Sequence, residues 1–288
     1  MIPQEILGAI IVDTETTDIK DPEVIEMAWV EIADVSFERV QNIDCNRFKP
    51  TKPISLGALA THHILPSDLT HCPSFDLSHL PKSTYLIGHN IDFDWTALGK
   101  PPGKRICTLA LARKIWPDLD SHSVTALFYF LRGVNELSRD VVRNAHSALH
   151  DVAMTHQILR HIVEKMQINS LDDLYALSES ARIPTHMTFG KYKGTPIKDV
   201  DKGYVQWYRK QPDTDPYLLM AFSRAENRMT PLGSTFPRQE GEPLVITPDP
   251  IVKPREPYIP IEVLIRKSDS TTKILRKVIK WLRQNGWN

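Results

Sequence analysis

The chain's regular structure opens on a continuous apolar run over residues 6–12, which predicts a strand covered on both faces. Val24–Ile32 and residues 46–50 read as further strands, and Tyr85–Gly88 as a short apolar strand leading into a helix after Asn90. Helical spacing then takes over, in residues 109–115, 123–130 and a longer stretch over about 147–165. In that last stretch Ala148, Val152, Ile158, Leu159 and Ile162 lie near one face. Strands first, then a strand alternating with helices, predict an α/β sheet domain over residues 1–165.

Beyond it the pattern changes. Residues 166–182 read as a polar helical connector, and residues 183–229 as a small α+β unit rich in aromatics. Residues 231–260 contain eight prolines, a density that prevents regular structure and predicts an extended linker over 230–260. In 261–288, Ile261, Val263 and Ile265 alternate as in a strand. Ile274, Val278, Ile279, Trp281 and Leu282 then interleave with lysines and arginines as in an amphipathic helix.

Charge changes this picture more than composition does. The net charge is zero, yet Lys and Arg against Asp and Glu give −5 for residues 1–170 and +6 for residues 251–288. An acidic head repels phosphates unless cations neutralise it, whereas a basic tail attracts them. Three scattered cysteines, Cys45, Cys72 and Cys107, predict no disulfide framework and a reducing, cytoplasmic setting. The N-terminal apolar run lacks a basic leader and is followed at once by acids, so neither a signal peptide nor a membrane span is expected. His62, His63, His71, Cys72 and His79 crowd one stretch, but no pair has the spacing of a structural zinc site.

Three segments carry candidate chemistry. Asp13 and Glu15 stand two apart near the end of the first strand, so alternation points both carboxylates to one face, where a cation would relieve their repulsion. The plainer reading is a turn in which Asp13 and Thr14 satisfy backbone groups. In His89-Asn90-Ile91-Asp92-Phe93-Asp94, Asn90 suits a helix cap, Phe93 a core anchor and Asp94 a place beside the cap. His146 precedes Asp151 by five residues at the start of the long helix. Each segment alone has an ordinary structural reading, but all three occur in order on elements whose ends can converge at one sheet edge.

Together these motifs resemble the DEDD superfamily of 3′-to-5′ exonucleases, histidine subclass. Asp13-Thr14-Glu15-Thr16 matches its first motif, His89 to Asp94 its second, and His146 with Asp151 its third. Within it, Ala60-Thr61-His62-His63-Ile64, Cys107-Thr108-Leu109-Ala110 and Phe189-Gly190-Lys191-Tyr192-Lys193-Gly194 are similar to the bacterial exodeoxyribonuclease X branch, over roughly residues 5–225. The resemblance implies a ribonuclease-H-like mixed sheet with flanking helices. It implies two Mg²⁺ or Mn²⁺ ions on Asp13, Glu15, Asp94 and Asp151, with His146 as general base. It also implies release of nucleoside 5′-monophosphates from DNA ends, in DNA repair or recombination.

Substrate contacts are expected at Thr16, Thr17, His62, Asn90, Lys191, Tyr192 and Lys193. Two alternatives stay open: an RNA-trimming or proofreading exonuclease, and a non-catalytic module that binds nucleic acid or a partner. The tail has no counterpart in the resemblance; its six net positive charges suit nucleic acid, and a protein partner is the other reading. Asp18 stands where relatives often carry glycine.

Overall fold

The structure is a computed structural model that describes residues 8–32, 35–37, 40–143, 145–212 and 214–229. The expected linker (230–260) and basic tail (261–288) lie outside the described residues.

Five strands form one mixed sheet: β1 (Ala9–Thr16), β2 (Val24–Ile32), β3 (Val40–Arg47), β4 (Tyr85–Gly88) and β5 (Lys104–Cys107), in the order β3-β2-β1-β4-β5. β2 runs antiparallel to both β1 and β3, while β4 is parallel to β1 and β5 to β4. This is the mixed sheet with flanking helices that a ribonuclease-H-like fold requires. β1 lies at its centre because both of its faces are apolar. Ala9 and Ile11 enter one core with Ile87 and Ile106; Ile10 and Val12 enter the other with Met27 and Leu86.

Seven helices accompany the sheet in the first unit, whose described residues run to Ala181: α1 (Leu56–His62), α2 (Asp92–Ala97), α3 (Thr108–Ile115), α4 (Val124–Arg132), α5 (Glu136–Val142), α6 (Ala148–Met166) and α7 (Leu171–Arg182). α6 lies against β1 and β2 and puts Val152, Ile158, Leu159 and Ile162 into the first core. The face taken by Ala9 and Ile11 is therefore the one α6 covers, and alternation continues it to Asp13 and Glu15. The expected connector is the helix α7, which buries Leu171 and Leu174 in that same core.

Some expectations are corrected. The strand expected at 46–50 is β3, which lies earlier, as a polar edge strand of partly exposed residues. β5 and α5 were not legible at all: the first is four residues long and begins with two cations. Asn90 does not cap α2. It takes a left-handed conformation (φ 66°), which asparagine tolerates, and Ile91 occupies the cap position with no side-chain bond. Ile91, fully buried, anchors this segment in place of half-buried Phe93. Gly88 precedes it for a steric reason: a Cβ there would stand 3.0 Å from the Val12 carbonyl oxygen and 2.8 Å from Ile91 Cδ1.

The second unit begins at Arg182. It contains α8 (Lys202–Tyr208) and α9 (Pro216–Met229), joined to a loop in which His186 and Pro196 form an antiparallel bridge. Met187, Val205, Tyr208, Leu218 and Phe222 are among the residues of its own core.

Candidate active site

Asp13 and Glu15 project from β1 onto the face covered by α6, and Asp151 arrives there from the first turn of that helix. One carboxylate oxygen from each of the three lies within 4.8 Å of the others. Asp94 approaches from α2 and is buried. Its Oδ1 accepts hydrogen bonds from the Thr14 backbone N (2.9 Å) and the Thr14 hydroxyl (2.8 Å). Thr14, between the two acids of the first motif, thus fixes the acid of the second.

The electrostatics are those of anions held together without a counter-charge. Burial, then Asp94, Asp151, Glu15 and Glu26, hold the Asp13 carboxyl well above the usual carboxylate range. Burial and the same kind of neighbours push Glu15 up to about 8. Asp94 and Asp151 are raised by burial to about 7, against the opposing hydrogen bonds from Thr14 and from the His146 backbone. Each of these shifts opposes ionisation of the group at neutral pH, and a cation entering the cluster would relieve that opposition. Carboxylate oxygens converging within a few ångströms are the donor set that Mg²⁺ or Mn²⁺ prefers, so the residues fit the ions that the motifs imply.

This arrangement predicts a metal-dependent pH profile of stability. The carboxyls have folded-state pKa values above their unfolded values of about 4, so their contribution is complete below pH ~4 and is lost as pH rises towards 8. Burial lowers His89, His150 and His156 to about 4, so their contribution is complete above pH ~6.5 and is lost as pH falls. Between about pH 6.5 and 8 the histidine contribution to the slope fades and the carboxyls give it its downward sign. Chelated protein should show a Tm that falls across this interval, and millimolar Mg²⁺ should flatten the fall; equal slopes with and without the ion would contradict the site.

The third motif is held by its own backbone. The His146 backbone N donates to Asp151 Oδ2 (3.2 Å), and His146 adopts φ 65° and is exposed. His150 differs sharply: both ring nitrogens are buried and lack hydrogen-bond partners. His89 is tied to the Thr108 hydroxyl (3.0 Å) and the His122 carbonyl (2.8 Å), which makes it a strut. Asp92 is half-exposed and paired with Arg105.

Among the expected substrate contacts, Thr16 donates its hydroxyl to the Asp18 carbonyl (3.0 Å), while the Thr17 hydroxyl accepts from Glu23 N (3.1 Å). Both hydroxyls therefore shape the turn after β1. His62, at the end of α1, is buried and accepts from Ile64 N through Nδ1 (2.9 Å). Asn90 is exposed at its turn. Lys191, Tyr192 and Lys193 belong to the second unit, where the Tyr192 ring packs edge-on to Tyr204.

Sequence reasoning missed Glu26. It stands opposite Glu15 in the β1–β2 register and Arg47 in the β2–β3 register, and it is buried. Its Oε1 pairs with Arg47 Nε (2.8 Å), and its Oε2 accepts from Ala148 N (3.0 Å) and the Ser147 hydroxyl (3.4 Å). A carboxylate from β2 thereby caps the helix that delivers Asp151. An acid inside the apolar strand Val24–Ile32 was the available signal. Glu26→Ala should destabilise the fold by about 2 kcal/mol, below the ~3–5 kcal/mol of a fully buried pair because Arg47 is one-third exposed. Denaturant unfolding measures this, and an unchanged midpoint would contradict it.

A mixed five-stranded sheet with a cluster of acids near the end of its central strand is the arrangement of a nuclease of the ribonuclease-H-like class. The chain is 31% identical over 202 residues to Exodeoxyribonuclease 10 of Escherichia coli K12, a span of 68% of this chain and 88% of that protein. It belongs to that family, and it is a 3′-to-5′ exonuclease of the DEDD superfamily. Among solved structures it is similar to exonuclease X in complex with 5′ overhanging duplex DNA, at 27% identity and TM-score 0.49, covering 59% of this chain and 99% of that one. It is also similar to the zinc-bound E. coli ExoI–ssDNA complex, at 17% identity and TM-score 0.46, covering 58% and 42%. Residues 177–214 match the family described as "quorum-sensing-regulated virulence factor". Among the described residues no helix is long and apolar enough to cross a membrane.

Proposed function

We propose that the chain is a divalent-metal-dependent exodeoxyribonuclease that hydrolyses the last phosphodiester at a DNA 3′ end and releases a nucleoside 5′-monophosphate, in DNA repair or recombination. The observation that carries this reading is the convergence of Asp13, Glu15 and Asp151 within 4.8 Å, with Asp94 anchored beside them. Bound there, two Mg²⁺ or Mn²⁺ ions would supply positive charge to the scissile phosphate and acidify the attacking water. Asp13, central among the acids, would be shared; Glu15 and Asp151 would hold the nucleophile's side, and Asp94 the leaving group's side.

The protein's own groups do the rest. The exposed His146 imidazole takes a proton from the water whose oxygen attacks phosphorus. The bond from phosphorus to the 3′ oxygen breaks, and that oxygen leaves on the shortened strand and is protonated. His62 would contact the terminal nucleotide. The backbone at Thr16 and Thr17 and the exposed Asn90 would contact the same nucleotide. The name of the E. coli relative supports DNA as the polymer. Hydrolysis of a single-stranded DNA oligonucleotide in Mg²⁺, with 5′-monophosphates as the only small product, tests the reading; release of 3′-monophosphates, or equal activity in excess chelator, would overturn it.

A further inference from the structure

The second unit carries a groove of about 380 Å³ lined by Lys191, Gly203, Tyr204 and Trp207. Helix α8 divides its residues between two sides. Val205 and Tyr208 enter the core of the unit, while Gly203, Tyr204 and Trp207, at helical spacing, form the groove. Trp207 is 54% exposed although its neighbour Tyr208 is 6% exposed. The aromatic rings touch in series: Tyr192 meets Tyr204 edge-on with centroids 4.9 Å apart, and Tyr204 meets Trp207 tilted at 5.3 Å. Only the last ring of the series is left largely open to solvent.

Charge accompanies the rings. Lys191 Nζ lies 4.8 Å from the Tyr192 centroid and 5.7 Å from that of Tyr204. Two glycines keep the groove open. Gly190 has φ 67°, and a Cβ there would already touch the Tyr204 hydroxyl at 3.4 Å; Gly203 contributes no side chain to the floor. Residues 183–228 hold eight Lys and Arg against five Asp and Glu, whereas the first 170 residues are net acidic. A cation beside an open indole, on the basic part of the chain, matches a ligand with flat π faces joined by phosphates.

We propose that this groove binds single-stranded nucleic acid, with a base stacked on Trp207 and an adjoining phosphate on Lys191. Tyr192 then acts from behind, as the support of Tyr204, and the exposed ring of Trp207 is the contact surface. The proposal rests on the exodeoxyribonuclease reading for the class of its ligand. A proline-rich segment such as residues 231–260 is the other class of ligand that aromatic grooves take. That segment has three cations and four acids, so it lacks the charge that Lys191 would complement.

The test uses the full chain in excess chelator, where strands are not consumed, and the anisotropy of a 5′-fluorescein oligothymidylate. Trp207→Ala should weaken affinity roughly 5- to 150-fold, with Trp207→Phe retaining most of it. Lys191→Gln should reduce the slope of log affinity against log salt by about 0.7. An unchanged Tm would show that the exposed Trp207 position tolerates the substitution. Equal affinity and slope in native and variant proteins would overturn the proposal. So would a synthetic 231–260 peptide whose binding depends on Trp207 while that of the oligonucleotide does not. Hydrolysis of the p-nitrophenyl ester of thymidine 5′-monophosphate by the native protein in Mg²⁺ tests the acidic site separately, because its failure would sink the nuclease reading and leave the anisotropy result intact.

Discussion

Replacing Asp13 with Asn is expected to cut turnover in Mg²⁺ by more than about 100-fold and, in chelator at pH 8, to raise the Tm. The first effect follows from position. Residues that merely support a metal ligand cost about 10–100-fold when changed, and Asp13 is the acid on which the other carboxylates converge, so its loss costs more. The second follows from repulsion. Asp13 is raised by burial and by four carboxylate neighbours, and at pH 8 the native recess is forced towards ionisation with no cation present. Asparagine preserves the shape and removes one charge. The two effects have opposite signs, which separates a functional acid from a structural one: a residue that merely held the fold would lose activity and stability together. Kinetics in Mg²⁺ and thermal denaturation in chelator give the two readings, and near-normal turnover would sink the assignment.

His146→Asn should lower turnover by roughly 10²–10⁴-fold while metal and DNA binding change much less. Asparagine is the informative replacement because His146 sits at φ 65°, a conformation that asparagine tolerates and alanine resists. The backbone hydrogen bond to Asp151 is then kept, so that acid stays in place and only the imidazole is lost. His150→Ala provides the contrast. Its ring is buried with no hydrogen-bond partner, so its removal should affect stability and leave the chemical step in place. An inactive His150→Ala beside a fully active His146→Asn would mean that the third motif is out of register.

The convergence of Asp13, Glu15 and Asp151 was legible because each lies on a local pattern: alternation in a strand, the start of a helix, a fixed spacing between histidine and acid. The apolar strands at the centre of the sheet were equally plain. The pattern failed where a residue's setting depends on distant chain. β3 was misplaced because an edge strand buries few side chains and shows weak alternation. Asn90 looked like a cap because its left-handed turn has the same sequence preference. Glu26 was silent because its partners, Arg47 and the start of α6, lie 21 and over 120 residues away. The helix α7 looked like a connector because its polar face outnumbers the few residues it buries.

The central claim, metal-dependent removal of nucleotides from DNA 3′ ends, is tested most directly by matched 5′-labelled DNA and RNA oligonucleotides in Mg²⁺, in Mn²⁺ and in chelator. The account predicts a ladder that shortens one nucleotide at a time on the DNA, with 5′-monophosphates released, and none in chelator. Intact DNA beside a degraded RNA strand, or a DNA ladder that persists without metal, would contradict it.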